Sequence, residues 1–321
     1  MRGGLDLGGT KIQAAILDEK GEVVGESRRP TPGEGGPPAV VEALAEALAE
    51  AATDAGVKSG DLEGVGVGSP GAVDAEAGTV AEARNIPEWS DEPYPVGPEL
   101  AKRTGVPVVL GNDVQVAVEA EYELGAAEDS HSLLGVFWGT GVGGGIILDG
   151  KPWLGRGAAG EIGHMVVKKG GARCPCGRLG CMEAYAGRGA MEARARELAD
   201  KGRETVLFEI MEERGRDRLA SGIWERALKA EDELAIELIE RALEALGAGV
   251  ASAVNLLDVE TVVIGGGLGT RLGEPYVKRI QEEMQPHLFV DDRPPAVRLA
   301  ALGDLGGATG AALLVGRRSM S

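Results

Sequence analysis

The chain has 321 residues, 43% apolar and 26% charged, which suits one large or two ordinary soluble domains around a substantial core. Its 33 Lys+Arg stand against 51 Asp+Glu, a formal charge of −18, and so acidic a field repels phosphate backbones and anionic lipid, disfavouring a nucleic-acid or membrane binder. The longest uncharged run, Ser132–Leu148, is broken by glycines and falls short of a membrane span of about 20 apolar residues.

In chain order, Gly4–Leu7 opens a strand that breaks at Gly8–Gly9, resumes over Lys11–Leu17, turns at Glu19–Gly21 and returns over Glu22–Glu26. Pro30–Pro38 reads as a loop. Ala39–Ala55 reads as a helix, with Val41, Leu44, Leu48 and Ala51 on one face and Glu42, Glu46 and Glu50 on another. Leu62–Val67 is a short strand ending in the turn Gly68–Gly71, and Val106–Leu110 is a strand running into Asn112–Asp113 and a helix over Val114–Leu124. The opening pattern then recurs: strand Leu133–Trp138, turn Gly139–Gly141, strand Val142–Leu148, turn, and Lys151–Leu154. Two copies of strand, small-residue turn, strand and turn imply a duplicated α/β architecture with a cleft between halves, two unrelated α/β domains being the alternative. Ile236–Leu257 reads as a long helix presenting Ile239, Leu243, Leu246, Val250, Val254 and Leu257 on one face, and Thr261–Ile264 as a strand ending at Gly265–Gly267.

Gly139, Gly141 and Gly144 match the spacing of a dinucleotide fingerprint, but a β-hairpin follows where that fingerprint needs a helix, so a nicotinamide site is excluded. No Gly-Lys-Ser/Thr of a Walker loop occurs. A hairpin apex of Gly139–Thr140–Gly141 can still present backbone N–H groups and a hydroxyl to a phosphate. Asp6–Leu7–Gly8–Gly9–Thr10–Lys11 offers the same, with Lys11 to neutralise charge and Asp6 to hold Mg²⁺ through water. Both are also compatible with plain tight turns. The third glycine run, Gly265–Gly266–Gly267, is expected as a loop that passes close to a flat ligand.

All three cysteines, Cys174, Cys176 and Cys181, fall in one short window after His164. An odd cluster argues against a disulfide framework and for a metal site in a reducing compartment. With no secretion signal in MRGGLDLGGTKIQ, the expected location is the cytoplasm. One His and three Cys make a closed tetrahedral Zn²⁺ set with no position for a catalytic water. Such a site is structural, and it would fix the loop that carries Glu161 and Glu183, two carboxylates suited to accept hydrogen bonds from a polyol.

At these residues the sequence resembles the ROK family of sugar kinases and sugar-responsive repressors. The likeness rests on Asp6-x-Gly-Gly-Thr-Lys11, Ser69–Gly71, Asn112–Asp113, Gly139–Thr140–Gly141, Glu161-x-Gly-His164, the cysteine run to Glu183, and Gly265–Gly267. The resemblance implies a duplicated actin-like (ribonuclease H-like) ATPase fold, with two α/β domains flanking a cleft. The first would span residues 1–113, completed by a C-terminal helix over about 305–321; the second would span 114–304 with the zinc loop 164–181. It further implies transfer of the ATP γ-phosphoryl group to a hexose 6-hydroxyl, with Asp113 as general base. Sugar contacts would come from Gly71, Asn112, Asp113, Glu161, His164 and Glu183, with His164 also ligating zinc. Asp6, Gly8, Gly9, Thr10, Lys11, Gly139, Thr140 and Gly141 would face phosphates and Mg²⁺, and Gly265–Gly267 the adenosine.

Asp113 also stands where an ordinary N-cap aspartate would stand. Two positions depart from the family pattern: Gln115 replaces a common Asn, and Trp138 replaces Ala, its bulk expected to reshape the phosphate end of the cleft. Glu161, His164 and Glu183 together match the glucokinase-like set, so glucose is the expected sugar, with fructose, mannose and N-acetylated amino sugars as alternatives and polyphosphate as the alternative donor. A sugar-sensing regulator is the rival function. Its repressor form carries a helix-turn-helix before the phosphate loop, where here Asp6 already lies. Family members are dimers or larger, so a homo-oligomer is expected.

Overall fold

The structure, a computed structural model, describes residues 1–83 and 86–318. The chain divides into two compact units, Met1–Glu128 with the segment from Ala301 onward, and Asp129–Ala300.

The first unit holds β1 (Arg2–Leu7), β2 (Lys11–Leu17), β3 (Val23–Pro30), β4 (Val65–Ser69), β5 (Ala72–Asp74), β6 (Thr79–Ala81) and β7 (Val108–Asn112). Its main sheet runs β3-β2-β1-β4-β7, antiparallel through β3, β2 and β1 and parallel from β1 to β7; β5 and β6 form a separate hairpin. The second unit holds β8 (Leu133–Trp138), β9 (Val142–Leu148), β10 (Lys151–Pro152), β11 (Thr261–Gly265) and β12 (Ala296–Leu299), in the order β10-β9-β8-β11-β12. The two sheets repeat one another strand for strand, including the change from antiparallel to parallel pairing. The duplication expected from the two hairpins is therefore a property of whole sheets.

One face of the first sheet is covered by the helix Gly36–Asp54, whose Val41, Leu44, Leu48 and Ala51 are fully buried while Glu42, Glu46 and Glu50 stay exposed. The helix begins earlier than expected because Pro37 and Pro38, which lack an N–H, suit a first turn. The other face carries the helices Asp113–Leu124 and Gly306–Arg318, packed through Ala15, Leu17, Ala120, Ala308 and Ala312. The approach is close enough to require glycine: a Cβ on Gly66 would sit 1.7 Å from the Ala311 carbonyl oxygen, and one on Gly4 1.9 Å from that of Ala308. This packing keeps Asp113–Leu124 in the first unit, whose N-terminal part runs to Glu128. The C-terminal helix is described to Arg318, and residues 319–321 of the expected span lie outside the described residues.

In the second unit the long helix spans Glu233–Leu257, starting before the expected Ile236 because the Asp232 side chain caps it on Ala235 N at 2.7 Å. Its Ile239, Leu243, Leu246, Val250 and Val254 join Trp138 and Trp224 in the core, while Leu257 is partly buried. Gly265–Gly267 is not the open loop expected: the helix Gly266–Leu272 starts directly where β11 ends. No helix among the described residues is long and apolar enough to cross a membrane.

Candidate active site and metal centre

In the first unit the site residues lie at the carboxyl ends of β1, β4 and β7, where parallel strands of an open sheet present ligand groups. Asn112 ends β7, and its Oδ1 accepts from Val114 N and Gln115 N, both at 3.1 Å, so Asn112 is the helix cap. That removes the plain capping role from Asp113, which is the first helical residue and whose Oδ1 accepts from Val114 N at 2.9 Å. The dipole of the same helix favours the ionised Asp113. Burial, then the neighbouring Asp113 charge, push the Asp6 carboxyl up to about 7, with Lys11 opposing and Asp304 adding to the rise. Gly307 abuts Asp6, since a Cβ there would lie 2.7 Å from the carboxylate. Lys11 Nζ pairs with Asp304 at 3.3 Å. Asp304 escaped the sequence reading; the signal was its glycine-flanked place, Gly303–Gly307, just before the last helix. Asp304 also pairs with Arg28 Nη1 at 3.7 Å, so three carboxylates stand against Lys11 and Arg28; the carboxylates still outnumber the cations, which suits a hard divalent cation such as Mg²⁺. Gly71 lies at the entry to the β5–β6 hairpin with φ +90°.

The glycine turns share one construction. Gly8 N donates to Lys11 O and Gly139 N to Gly141 O, both at 2.9 Å. These two N–H groups are used in closing their own turns.

In the second unit His164, Cys174, Cys176 and Cys181 place one ligand atom each within 4.8 Å of one another. Cys174 Sγ lies 3.8 Å from His164 Nδ1, and Cys176 Sγ 3.8 Å from Cys181 Sγ. A tetrahedral zinc with bonds of about 2.0–2.3 Å separates its ligands by roughly 3.5–3.8 Å, so the set fits the ion. Burial pushes the Cys174 thiol up to about 12 and raises Cys181, while a backbone hydrogen bond from Arg178 lowers Cys176 to about 7, so the first two thiolates call for a cation. The loop closes through Gly180, at φ +82°, where a Cβ would meet the Lys168 carbonyl at 1.8 Å.

His164 uses its two nitrogens differently. Nδ1 faces the cysteines, and Nε2 lies 3.8 Å from Glu161 Oε2, with Glu161 exposed. Glu183 has a second task that the sequence reading missed: its Oε2 accepts from Val142 N at 2.9 Å, and its Oε1 lies 3.8 Å from Cys174 Sγ. It braces the cysteine loop against the strand that leaves the Gly139–Gly141 turn. A cavity of about 760 Å³ opens behind this loop, beside Cys174, Pro175, Tyr185 and Arg241, and neither Glu161, His164 nor Glu183 lines it.

The Trp138 side chain does not enter the Gly139–Gly141 turn. It is fully buried, and its Nε1 donates to Ala186 O at 2.6 Å, so its bulk fills the core beneath the turn. Gln115 is buried too, its amide donating to Glu119 Oε1 at 3.0 Å.

The sequence model of the ROK family matches residues 2–318. A glucokinase from Halalkalibacterium halodurans is 32% identical over 99% of this chain and 96% of its own length. Among solved structures, a ROK hexokinase from Thermus thermophilus is 36% identical with a TM-score of 0.80, covering 99% of both chains. A ROK family glucokinase from Streptomyces griseus, solved with glucose and AMPPNP, is 32% identical with a TM-score of 0.82, covering 98% of this chain and 99% of its own. An N-acetylmannosamine kinase from Haemophilus influenzae is also 32% identical, over 97% of this chain and 94% of its own.

Proposed function

The chain belongs to the ROK family, has its actin-like ATPase fold and is a sugar kinase, a phosphotransferase with an alcohol acceptor; on that premise we propose that it transfers the γ-phosphoryl group of ATP to the 6-hydroxyl of glucose. The observation that carries this reading is the divided use of His164, one nitrogen on the cysteine cluster and the other beside Glu161. A zinc ion on the cysteine cluster would hold the ring rigidly, leaving its far side as a polar edge for a sugar. The glucokinases among the relatives support glucose, and the AMPPNP in the Streptomyces griseus structure supports ATP.

Asp113 takes the proton of the hydroxyl as its oxygen bonds to the γ-phosphorus and ADP leaves; phosphoryl transfer asks mainly for positioning and charge neutralisation. The residues assigned to the sugar hydroxyls are Gly71, Asn112, Glu161, His164 and Glu183. Thr10, Lys11, Thr140 and Gly141 bind phosphate, and Gly265–Gly267 the adenosine. Asp6 would hold Mg²⁺, which when bound offsets the charge on the phosphate oxygens. His164, Cys174, Cys176 and Cys181 would hold zinc, whose part is structural. Free cysteines kept for a metal suit the cytoplasm.

The identity shared with the N-acetylmannosamine kinase supports a second reading, an N-acetylated amino sugar as acceptor. A coupled assay of ADP release over glucose, mannose, fructose and N-acetylmannosamine, with ATP and with polyphosphate, tests both. Glucose with ATP should give the highest kcat/KM; preference for N-acetylmannosamine selects the second reading, and turnover of no hexose overturns both.

A further inference from the structure

The two glycine turns of the second unit are joined by one side chain outside the family motifs. Arg188 opens the helix Arg188–Asp200. Its Nη2 donates to Thr140 Oγ1 and its Nη1 to Ser221 Oγ, both at 2.8 Å. The backbone follows the same path: Arg188 N donates to Gly139 O at 3.1 Å and Gly189 N to Thr140 O at 3.0 Å. Ser221 in turn abuts the other glycine run, since a Cβ on Gly267 would lie 3.7 Å from Ser221 Oγ. One guanidinium thus links the Gly139–Gly141 turn to Ser221, the neighbour of Gly267.

Its charge has no carboxylate in direct contact among the described residues. Among the described residues Arg188 makes no ion pair with a carboxylate within 4.0 Å. Glu192, one turn along its helix, is occupied by Arg196 at 2.7 Å and by Leu219 N at 3.0 Å. Burial, the largest effect, pulls the Arg188 pKa below its ordinary value, with Glu192 opposing and Arg218 adding a second positive charge. A chain with a formal charge of −18 has carboxylates in excess, yet among the described residues none lies within 4.0 Å of this half-buried cation. A desolvated guanidinium is costly unless an anion meets it. The side chain keeps N–H donors beyond the two in use, in a planar fork that matches phosphate oxygens.

We propose that Arg188 is a donor-binding residue, its guanidinium engaging the phosphate chain of the nucleoside triphosphate at the Thr140 turn while holding the Thr140 hydroxyl in place. The assignment rests on the ATP-dependent reading above. The anion supplies the missing counter-charge, and the same side chain fixes the spacing between the phosphate turn and the turn assigned to adenosine.

The test compares wild type with Arg188→Gln and Arg188→Lys. AMPPNP affinity is measured by calorimetry, inhibition by inorganic tripolyphosphate in the kinase assay, and KM for ATP and for glucose separately. Arg188→Gln should weaken AMPPNP and tripolyphosphate by tenfold or more and raise the ATP KM alike, with the glucose KM within about twofold. Arg188→Lys, which keeps the charge, should recover a large part of the loss. Unchanged AMPPNP affinity in Arg188→Gln, equal losses in both variants, or a matching rise in the glucose KM would each overturn the assignment. If Arg188→Gln does not fold, the Lys variant decides: wild-type affinity for both AMPPNP and tripolyphosphate refutes a forked contact, and a selective loss for both supports it. Wild-type protein that binds AMPPNP but phosphorylates no hexose would sink the acceptor reading and leave the Arg188 comparison intact.

Discussion

Asp6 and Asp113 share one electrostatic site, in which burial and then the Asp113 charge push the Asp6 carboxyl up to about 7 from an ordinary value of about 4. An acid whose folded-state pKa is raised binds its proton more tightly when folded. The unfolded chain therefore holds fewer protons between about pH 4 and 7, and stability falls as pH rises through that window. Each pH unit is worth about 1.4 kcal/mol, so Asp6→Asn should gain about 2 kcal/mol over wild type between pH 5 and 7 and nothing further above pH 8. Denaturant unfolding of both proteins across that range checks this. A constant difference would remove Asp6 as a buried acid.

Gly66→Ala forces a Cβ to within 1.7 Å of the Ala311 carbonyl, a backbone atom that cannot rotate away. It should cost about 3 kcal/mol or more. Gly111→Ala is the control, since its Cβ meets side-chain carbons of Val116 and Leu314, at 2.7 and 3.0 Å, that can shift; about 1 kcal/mol is expected. Thermal melting of the two variants separates the cases.

Trp138→Phe keeps most of the ring volume and loses the bond from Nε1 to the Ala186 carbonyl. It should destabilise the protein by about 1–3 kcal/mol, the cost of stranding a buried acceptor. The ATP KM should stay within about twofold, because the side chain fills the core and not the phosphate turn. A tenfold change in ATP KM would return Trp138 to the donor site.

On the proposed zinc site, loss of the ion should act on the acceptor first. Cys176→Ser, or chelation of the wild type, frees the loop that carries His164 and Glu183. The glucose KM is expected to rise tenfold or more, with a lower melting temperature and zinc lost on elemental analysis. Equal glucose KM in metal-loaded and metal-stripped protein would contradict a structural role for the ion in sugar binding.

Much of this was legible in the sequence wherever local chemistry decides the outcome. Both glycine hairpins, β8 and β9 to the residue, and the amphipathic helix over Val41–Ala51 follow from period-2 and period-3.6 patterns that no distant contact overrides. The His164–Cys181 quartet was legible because thiol spacing and ligand geometry are both short-range. What stayed hidden depends on tertiary approach. Asp304 reaches Lys11 from the far end of the chain, and Arg188 acquires its meaning only from Thr140 and Ser221. Helix Asp113–Leu124 joins the first unit because glycines admit the C-terminal helix, which no local pattern announces. The direction of Trp138 was within reach: Leu134, Val136 and Trp138 alternate along β8, and all three enter the core.

The most direct measurement is the turnover of Asp113→Asn beside its affinity for glucose, with calorimetry supplying the second. The expected result is a kcat reduced by roughly 10²–10⁴, the span of a positioned base, with glucose bound within a few-fold of wild type and ADP still released at the residual rate. A variant that keeps most of its turnover would show that the hydroxyl proton leaves by another route.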